Sequence, residues 1–161
     1  MKVSFAPWRV DFILGKREKG CVFCTRIHRK KDRPDLILHR GKHSFVILNK
    51  YPYNNGHLMV VPNRHICQLS DLTSEESLEM MEFLKISERT LKNGLAAQGI
   101  NGGLNLGKAA GAGIDDHLHF HMVPRWTADT NFWPVIAEVK SMPLHLMTTY
   151  DILKKEWKKQ I

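Results

Sequence analysis

The chain has 161 residues, of which 43% are hydrophobic and 25% are charged. This size suits one globular domain over residues 1–161 and leaves little room for a second core. No apolar run approaches the roughly 18 residues of a membrane span, and the first residues lack the apolar stretch of a signal peptide. We therefore expect a cytoplasmic protein.

Basic residues outnumber acidic ones, since 24 Lys and Arg against 16 Asp and Glu give a net charge of +8. Ten basic and three acidic residues lie between positions 16 and 42, a local charge of +7. Such a segment suits nucleic acid, an anionic membrane or a small phosphorylated substrate, and it equally suits a solvated surface. Charge alone does not choose among these.

Short apolar runs separated by turn residues predict five strands. In chain order they cover residues 36–38, 44–48, 57–61, 102–107 and 118–124. Residues 73–76, Thr-Ser-Glu-Glu, have the form of a capping box and begin a long amphipathic helix that ends before Gly99. A last helix is predicted at about 144–157. This order of elements predicts an α+β domain with an antiparallel sheet.

Three histidines occupy alternate positions, His117, His119 and His121. In a strand, alternate side chains share one face, so this spacing predicts three imidazoles side by side. Crowding them costs desolvation, and repulsion if they become protonated, which a metal, an anion or catalysis would offset. We interpret the three histidines as functional.

A glycine-bearing loop precedes these histidines, with Asn105 and Gly107 followed by Gly111 and Gly113. Glycine lets backbone N–H groups approach a phosphate closely. The spacing matches neither a P-loop nor a dinucleotide-binding fingerprint. The loop is therefore a candidate anion site of low specificity.

Cys21 and Cys24 form a CxxC pair, which by spacing is half of a zinc site. The other half would come from His65 and one histidine of the three, with Cys67 as a substitute ligand. Two buried thiols without metal and a redox dithiol are the alternatives. The redox interpretation is disfavoured, since such a motif should begin a helix after a parallel strand, whereas this one precedes the sheet.

The stretch His117-Leu-His-Phe-His-Met-Val123 resembles the defining motif of the histidine triad (HIT) family. The resemblance covers residues 20–125 and includes Asn55-Gly-His-Leu-Met-Val-Val-Pro62. It implies a HIT-like sheet of about five strands, one long helix and a C-terminal helix. Residues 123–126 and 129–132 further resemble the branch of diadenosine tetraphosphate phosphorylases and hydrolases.

The resemblance also implies roles for individual residues. His119 would be the nucleophile that forms a nucleotidyl-histidine intermediate, and His121 would stabilise phosphate oxygens or the leaving group. The implied substrate contacts are Asn105, Gly111 and Gly113 for phosphate, Asn49 for the ribose, and Phe23 and Ile47 for the base. The implied ligands of a structural zinc are Cys21, Cys24, His65 and His117.

The substrate expected from the resemblance is a purine nucleotide or a dinucleoside polyphosphate, cleaved by water or by phosphate without a catalytic metal, in a homodimer. A purine nucleoside phosphoramidase and a non-catalytic nucleotide- or RNA-binding module are the alternatives. One departure from the family stands out: Ile114 occupies a position where many relatives carry Ser or Thr.

Overall fold

The computed structural model describes residues 20–127, 129 and 142–161. The elements, in chain order, are helix α1 (Val22–Arg29), strands β1 (Ile37–Arg40), β2 (Ser44–Leu48) and β3 (Leu58–Pro62), helix α2 (Ser74–Leu95), strands β4 (Gly99–Leu104) and β5 (Phe120–Arg125), and helix α3 (Leu146–Trp157). None of the described helices is long and apolar enough to cross a membrane. The predicted α+β class is confirmed.

The strands form one antiparallel sheet in the order β1-β2-β3-β5-β4. Residues paired across antiparallel strands point to the same face. Ile47 pairs with Met59, which pairs with His121, so these three side chains share one face. Phe120 lies on the opposite face, towards α2, where it lines a groove with Met81.

Helix α2 begins with the predicted capping box. The Thr73 hydroxyl accepts from the Glu76 N–H at 3.2 Å, and the Glu76 carboxylate accepts from the Thr73 N–H at 2.9 Å. The same carboxylate accepts two hydrogen bonds from Arg64, at 2.6 and 2.7 Å. Because Arg64 precedes His65, the start of α2 is tied to the loop that follows β3.

Helix α3 packs on α2 and β1. The Trp157 side chain is buried, with its ring 5.9 Å from Phe83 and 5.5 Å from His39. The Tyr150 hydroxyl donates to the carbonyl of Ile37 at 3.0 Å. This helix therefore completes the protein's own hydrophobic core.

The last two strands are displaced from their predicted positions. Strand β4 starts at Gly99 rather than 102, because pairing with β5 overrides the low strand propensity of its glycines. Strand β5 starts at Phe120 rather than 118, so His117 and His119 precede it. Here the backbone leaves the ladder, and the Leu118 N–H donates to the carbonyl of Ile66 at 2.6 Å.

Candidate active site

The three histidines at alternate positions lie together on the sheet face opposite α2, and all three are buried. The rings of His119 and His121 have centroids 4.7 Å apart. Phe23 of α1 packs against this row, with its ring 5.3 Å from that of His117 and 5.2 Å from that of His119. Helix α1 therefore covers one end of the row.

The protonation of His119 follows from one backbone contact. Its Nδ1 lies 2.8 Å from the carbonyl oxygen of His117. A carbonyl only accepts hydrogen bonds, so Nδ1 carries the proton. In the neutral ring Nε2 then carries the lone pair, which is the form that a nucleophile requires.

The protonation of His121 follows from a longer chain that begins at His57, a fully buried residue at the start of β3. The Tyr53 N–H donates to Nδ1 of His57 at 3.2 Å, so Nε2 of His57 carries the proton. That Nε2–H faces Nδ1 of His121 at 2.8 Å. His121 must then carry its own proton on Nε2, which is buried and has no hydrogen-bond partner among the described residues.

Burial keeps these imidazoles neutral. It lowers the pKa of His57 from 6.5 to about 3 and, together with neighbouring His119, that of His121 to about 4. Burial also lowers the pKa of His119. Near neutral pH the site therefore presents a lone pair on His119 next to an N–H donor on His121.

A second cluster lies at the His117 end of the row, beside α1. Sγ of Cys21 is 3.2 Å from Nδ1 of His117, and Sγ of Cys24 is 3.6 Å from the same atom. Nδ1 of His65 lies 3.4 Å from Sγ of Cys24 and 3.3 Å from Nδ1 of His117. The four candidate ligand atoms all lie within 4.8 Å of one another.

These separations fit a tetrahedral zinc site, whose bonds of about 2.0–2.3 Å imply ligand–ligand distances of about 3.3–3.8 Å. Nε2 of His117 lies 2.9 Å from the carbonyl of Pro62, so it carries the proton and leaves the Nδ1 lone pair for a metal. The cluster is therefore able to bind a metal ion.

The CxxC pair begins a helix, because Cys21 is the N-cap residue of α1. The sheet beside it is wholly antiparallel, and two histidines adjoin the thiols, so the setting is that of a metal cluster rather than a redox dithiol. Burial raises the pKa of Cys24 to about 11, with the adjacent Cys21 contributing in the same direction. Cys67 is exposed and lies outside the cluster.

A family model described as HIT domain matches residues 30–128. The chain belongs to the HIT family. An AP-4-A phosphorylase of Mycobacterium tuberculosis is 46% identical to this HIT protein over 136 residues, covering 84% of this chain and 70% of the relative. A bis(5'-adenosyl)-triphosphatase of Saccharomyces cerevisiae is 33% identical over 93 residues, which are 57% of this chain and 45% of that protein.

The HIT fold is also found among solved structures. The structure of a Zn-bound histidine triad family protein from Mycobacterium smegmatis superimposes with a TM-score of 0.71 at 26% identity, covering 87% of this chain and 94% of that one. With the enzymes among its relatives, the chain is a HIT-family enzyme. The resemblance noted in the sequence is confirmed.

The residues predicted to contact the nucleotide border the histidine row. Phe23 and Ile47 are buried on the same side of the sheet as His121. Asn49 follows β2, and its side-chain oxygen accepts from the Tyr51 N–H at 2.9 Å. Asn105 directly follows β4, whose last residue, Leu104, pairs with Phe120, the residue after His119.

The predicted phosphate loop follows Asn105 and is open. A side chain added at Gly111 or Gly113 would meet nothing within 4 Å, so the backbone is accessible to a ligand. Gly111 has φ of 82°, a conformation that favours glycine. Ile114, at the position that departs from the family, packs against the hydrophobic core.

Much of the basic segment is neutralised within the fold. Arg33 donates two hydrogen bonds to Asp151 of α3, at 3.1 and 2.9 Å. Arg40 pairs with Asp32 at 2.7 Å and donates to the carbonyl of Ile27 at 2.8 Å. Residues 16–19 of this segment lie outside the described residues. These arginines hold α1 and α3 to the sheet edge, so the local charge is partly structural.

Sequence reasoning missed His57 as a functional residue. Gly56 and His57, just before β3, were part of the family resemblance, but no sequence spacing connects His57 with the three histidines. The available signal was a histidine at the start of an otherwise apolar run, directly after Gly56. Only the pairing of β3 with β5 brings His57 to His121.

Proposed function

We propose that this enzyme cleaves a dinucleoside polyphosphate, such as diadenosine tetraphosphate, at an α-phosphate through a covalent nucleotidyl-His119 intermediate. The observation that carries the proposal is the hydrogen bond from Nδ1 of His119 to the His117 carbonyl, which leaves Nε2 free to attack. The relative named AP-4-A phosphorylase supports the choice of substrate.

In the first step, Nε2 of His119 forms a bond to the α-phosphorus while the bond to the bridging oxygen breaks. The electron pair of that bond leaves with the departing nucleotide. The Nε2–H of His121 donates a hydrogen bond to the oxygen that gains this charge, in a buried site where such a bond is strong. Both catalytic roles rest on the neutral tautomers derived above.

The substrate is held by residues around the row. We assign Asn105 and the backbone of Gly111 and Gly113 to the phosphate, because Asn105 directly follows β4, the strand paired with β5, and the two glycines are open to a ligand. Asn49 is assigned to the ribose. Phe23 and Ile47 are assigned to the base, because both are apolar and lie on the same side of the sheet as His121.

In the second step, water or inorganic phosphate attacks the phosphorus and the bond to Nε2 breaks, which regenerates His119. With diadenosine tetraphosphate, water yields AMP and ATP, whereas phosphate yields ADP and ATP. Products from the purified protein, with and without phosphate, identify the acceptor.

The covalent step is tested with His119→Ala. We expect turnover to fall by about 10³-fold or more, because the nucleophile is lost, while AMP binding is retained. In the wild type, rapid quenching followed by mass spectrometry of peptides should show one adenylyl group on His119. The exposed His28 offers a matched control, since His28→Ala should leave turnover unchanged.

Turnover above a few per cent of wild type in His119→Ala would exclude the covalent route. Cleavage of adenosine phosphoramidate alone, with diadenosine tetraphosphate untouched, would reassign the substrate. Salt-dependent binding to long RNA without cleavage of any nucleotide would instead identify a non-catalytic binding module.

We further propose that the Cys21, Cys24, His65 and His117 cluster holds a structural zinc. Four protein ligands leave no open coordination position, so the metal would tie α1 and the loop after β3 to the segment that carries His119. The tetrahedral spacing of the four atoms supports the assignment.

We propose a homodimer for the chain, which we expect to be a single cytoplasmic domain over residues 1–161. Helix α2 and strand β4 border a groove of about 450 Å³ on the sheet face opposite the site. Leu78 and Met81 of α2 are 67% and 53% exposed, so this helix offers apolar surface to a partner. A monomer in sedimentation equilibrium would contradict the homodimer. Two stable fragments in limited proteolysis would contradict the single domain, and fractionation outside the cytoplasm would contradict the localisation.

A further inference from the structure

Tyr53 lies on the β2–β3 loop beside the site, with an exposed aromatic ring. Its ring centroid is 4.8 Å from that of His57 and 5.7 Å from that of His121. The residue is 56% exposed, although it packs on two buried histidines. One side of the ring thus faces the histidines, and much of the rest is open.

The loop holds this ring in place. The Tyr53 N–H is bonded to His57, and the neighbouring Asn54 is 3% exposed. The Asn54 side chain donates to the carbonyl of Pro124 at 3.0 Å and to the carboxylate of Asp129 at 2.8 Å. A backbone anchored on both β3 and β5 presents the ring with little freedom, so a ligand that stacks on it would pay little ordering cost.

The position of Tyr53 relative to the reaction is set by the two catalytic histidines. Attack and departure at phosphorus occur roughly in line, so the leaving group lies away from His119. Phe23 contacts the ring of His119, whereas Tyr53 contacts the ring of His121, which faces the leaving oxygen. The two aromatic side chains therefore border opposite ends of the reacting histidine pair.

We propose that Tyr53 stacks on the base of the departing nucleotide and thereby selects dinucleoside over mononucleoside polyphosphates. The inference rests on the proposed function. A dinucleoside polyphosphate carries a base at each end of its phosphate chain, and one wall at each end of the site matches that arrangement. Aromatic rings bind every nucleobase by stacking, without reading its edges.

The test compares two ligands that differ only in the second adenosine, diadenosine tetraphosphate and adenosine 5'-tetraphosphate. Dissociation constants are measured by calorimetry in the His119→Ala background, where neither is consumed. Adding Tyr53→Ala should weaken diadenosine tetraphosphate by about 10-fold or more, the loss of one stack, and adenosine tetraphosphate by less than about 2-fold. Tyr53→Phe should keep both affinities, since it retains the ring.

Tyr51 serves as the matched control, because it is an exposed tyrosine of the same loop. Tyr51→Ala should leave the ratio of the two affinities unchanged. In the otherwise wild-type enzyme, Tyr53→Ala should raise KM for diadenosine tetraphosphate more than it lowers kcat. A purely structural role would lower kcat through His57 and His121 instead.

Equal weakening of both ligands, or no weakening of either, would overturn the role of Tyr53 and leave the proposed function intact. A larger effect of Tyr51→Ala on the ratio would move the stacking wall to that residue and equally overturn it. Failure of the wild-type enzyme to cleave diadenosine tetraphosphate would overturn the proposed function itself, and this inference with it.

Discussion

Replacing His57 by Phe tests whether His57 decides which ring nitrogen of His121 carries the proton. The substitution keeps a planar ring in a fully buried position but removes the side-chain hydrogen bonds of His57 with Asn49, Tyr53 and His121. Nδ1 of His121 loses the donor 2.8 Å away that holds it as an acceptor. His121 is then free to move its proton to Nδ1, which would take the N–H away from the leaving group.

The size of the effect follows from these contacts. One intramolecular hydrogen bond contributes about 0.5–1.5 kcal/mol, and leaving a buried polar atom unpaired costs about 1–3 kcal/mol. We therefore expect kcat to fall about 10- to 100-fold, which corresponds to about 1.4–2.8 kcal/mol. The affinity for AMP should fall less than kcat, because Asn49, assigned to the ribose, loses its contact with His57 Nδ1 at 3.3 Å but keeps the hydrogen bond that its side-chain oxygen accepts from the Tyr51 N–H.

The assay is steady-state cleavage of diadenosine tetraphosphate by four proteins: wild type, His57→Phe, His121→Phe and the double variant. If His57 acts through His121, the double variant should be no slower than His121→Phe alone, because coupled residues are not additive. His39→Phe is the matched control, since this half-buried histidine packs on Phe83 and Trp157, away from the site. Thermal unfolding confirms that each protein is folded at the assay temperature.

Multiplicative losses in the double variant would show that His57 acts independently of His121 and would refute the reasoning. Full activity of His57→Phe would refute it as well, because the tautomer of His121 would then need no partner.

Three further outcomes are expected. Cys24→Ser should lose about one zinc per chain by elemental analysis and should unfold about 10 °C lower, as expected for about 4 kcal/mol of lost metal stabilisation. Cys67→Ser should keep the zinc and the unfolding temperature, and equal zinc contents in the two variants would contradict the site. Glu79→Gln should lower the free energy of unfolding by about 1–3 kcal/mol, because this carboxylate accepts hydrogen bonds from the backbone N–H groups of the β1–β2 turn at 2.7–3.1 Å. Glu82→Gln, in an exposed ion pair, should lower it by less than about 0.5 kcal/mol by urea titration. Similar losses in the two variants would argue against a stabilising role of these turn hydrogen bonds. The stabilising effect of neutral His57 should be complete above pH 6.5 and should be lost as the pH falls towards 3, since its pKa is 6.5 in the unfolded chain and about 3 in the folded one. The free energy of unfolding of His57→Phe should therefore fall less steeply with decreasing pH than that of the wild type. Parallel curves for the two proteins would contradict this linkage.

The sequence by itself determined the chemistry available and the approximate places of the five strands and of α2 and α3, but it did not predict α1. The capping box at Thr73 set the start of α2, because capping depends on residues within one turn. The alternation of the three histidines and the CxxC spacing identified both clusters, since local periodicity decides which side chains share a face. The family motif then supplied the expected roles.

The tertiary structure decided which hydrogen bonds connect those residues. The register of β3 against β5 brought His57 to His121, and the carbonyls of His117 and Pro62 selected which nitrogen of each ring holds its proton. It also placed the ring of Tyr53 against His57 and His121. The His57–His121 and His117–Pro62 contacts join residues more than 50 positions apart, so they depend on strand pairing and burial, and no local pattern in the sequence encodes them.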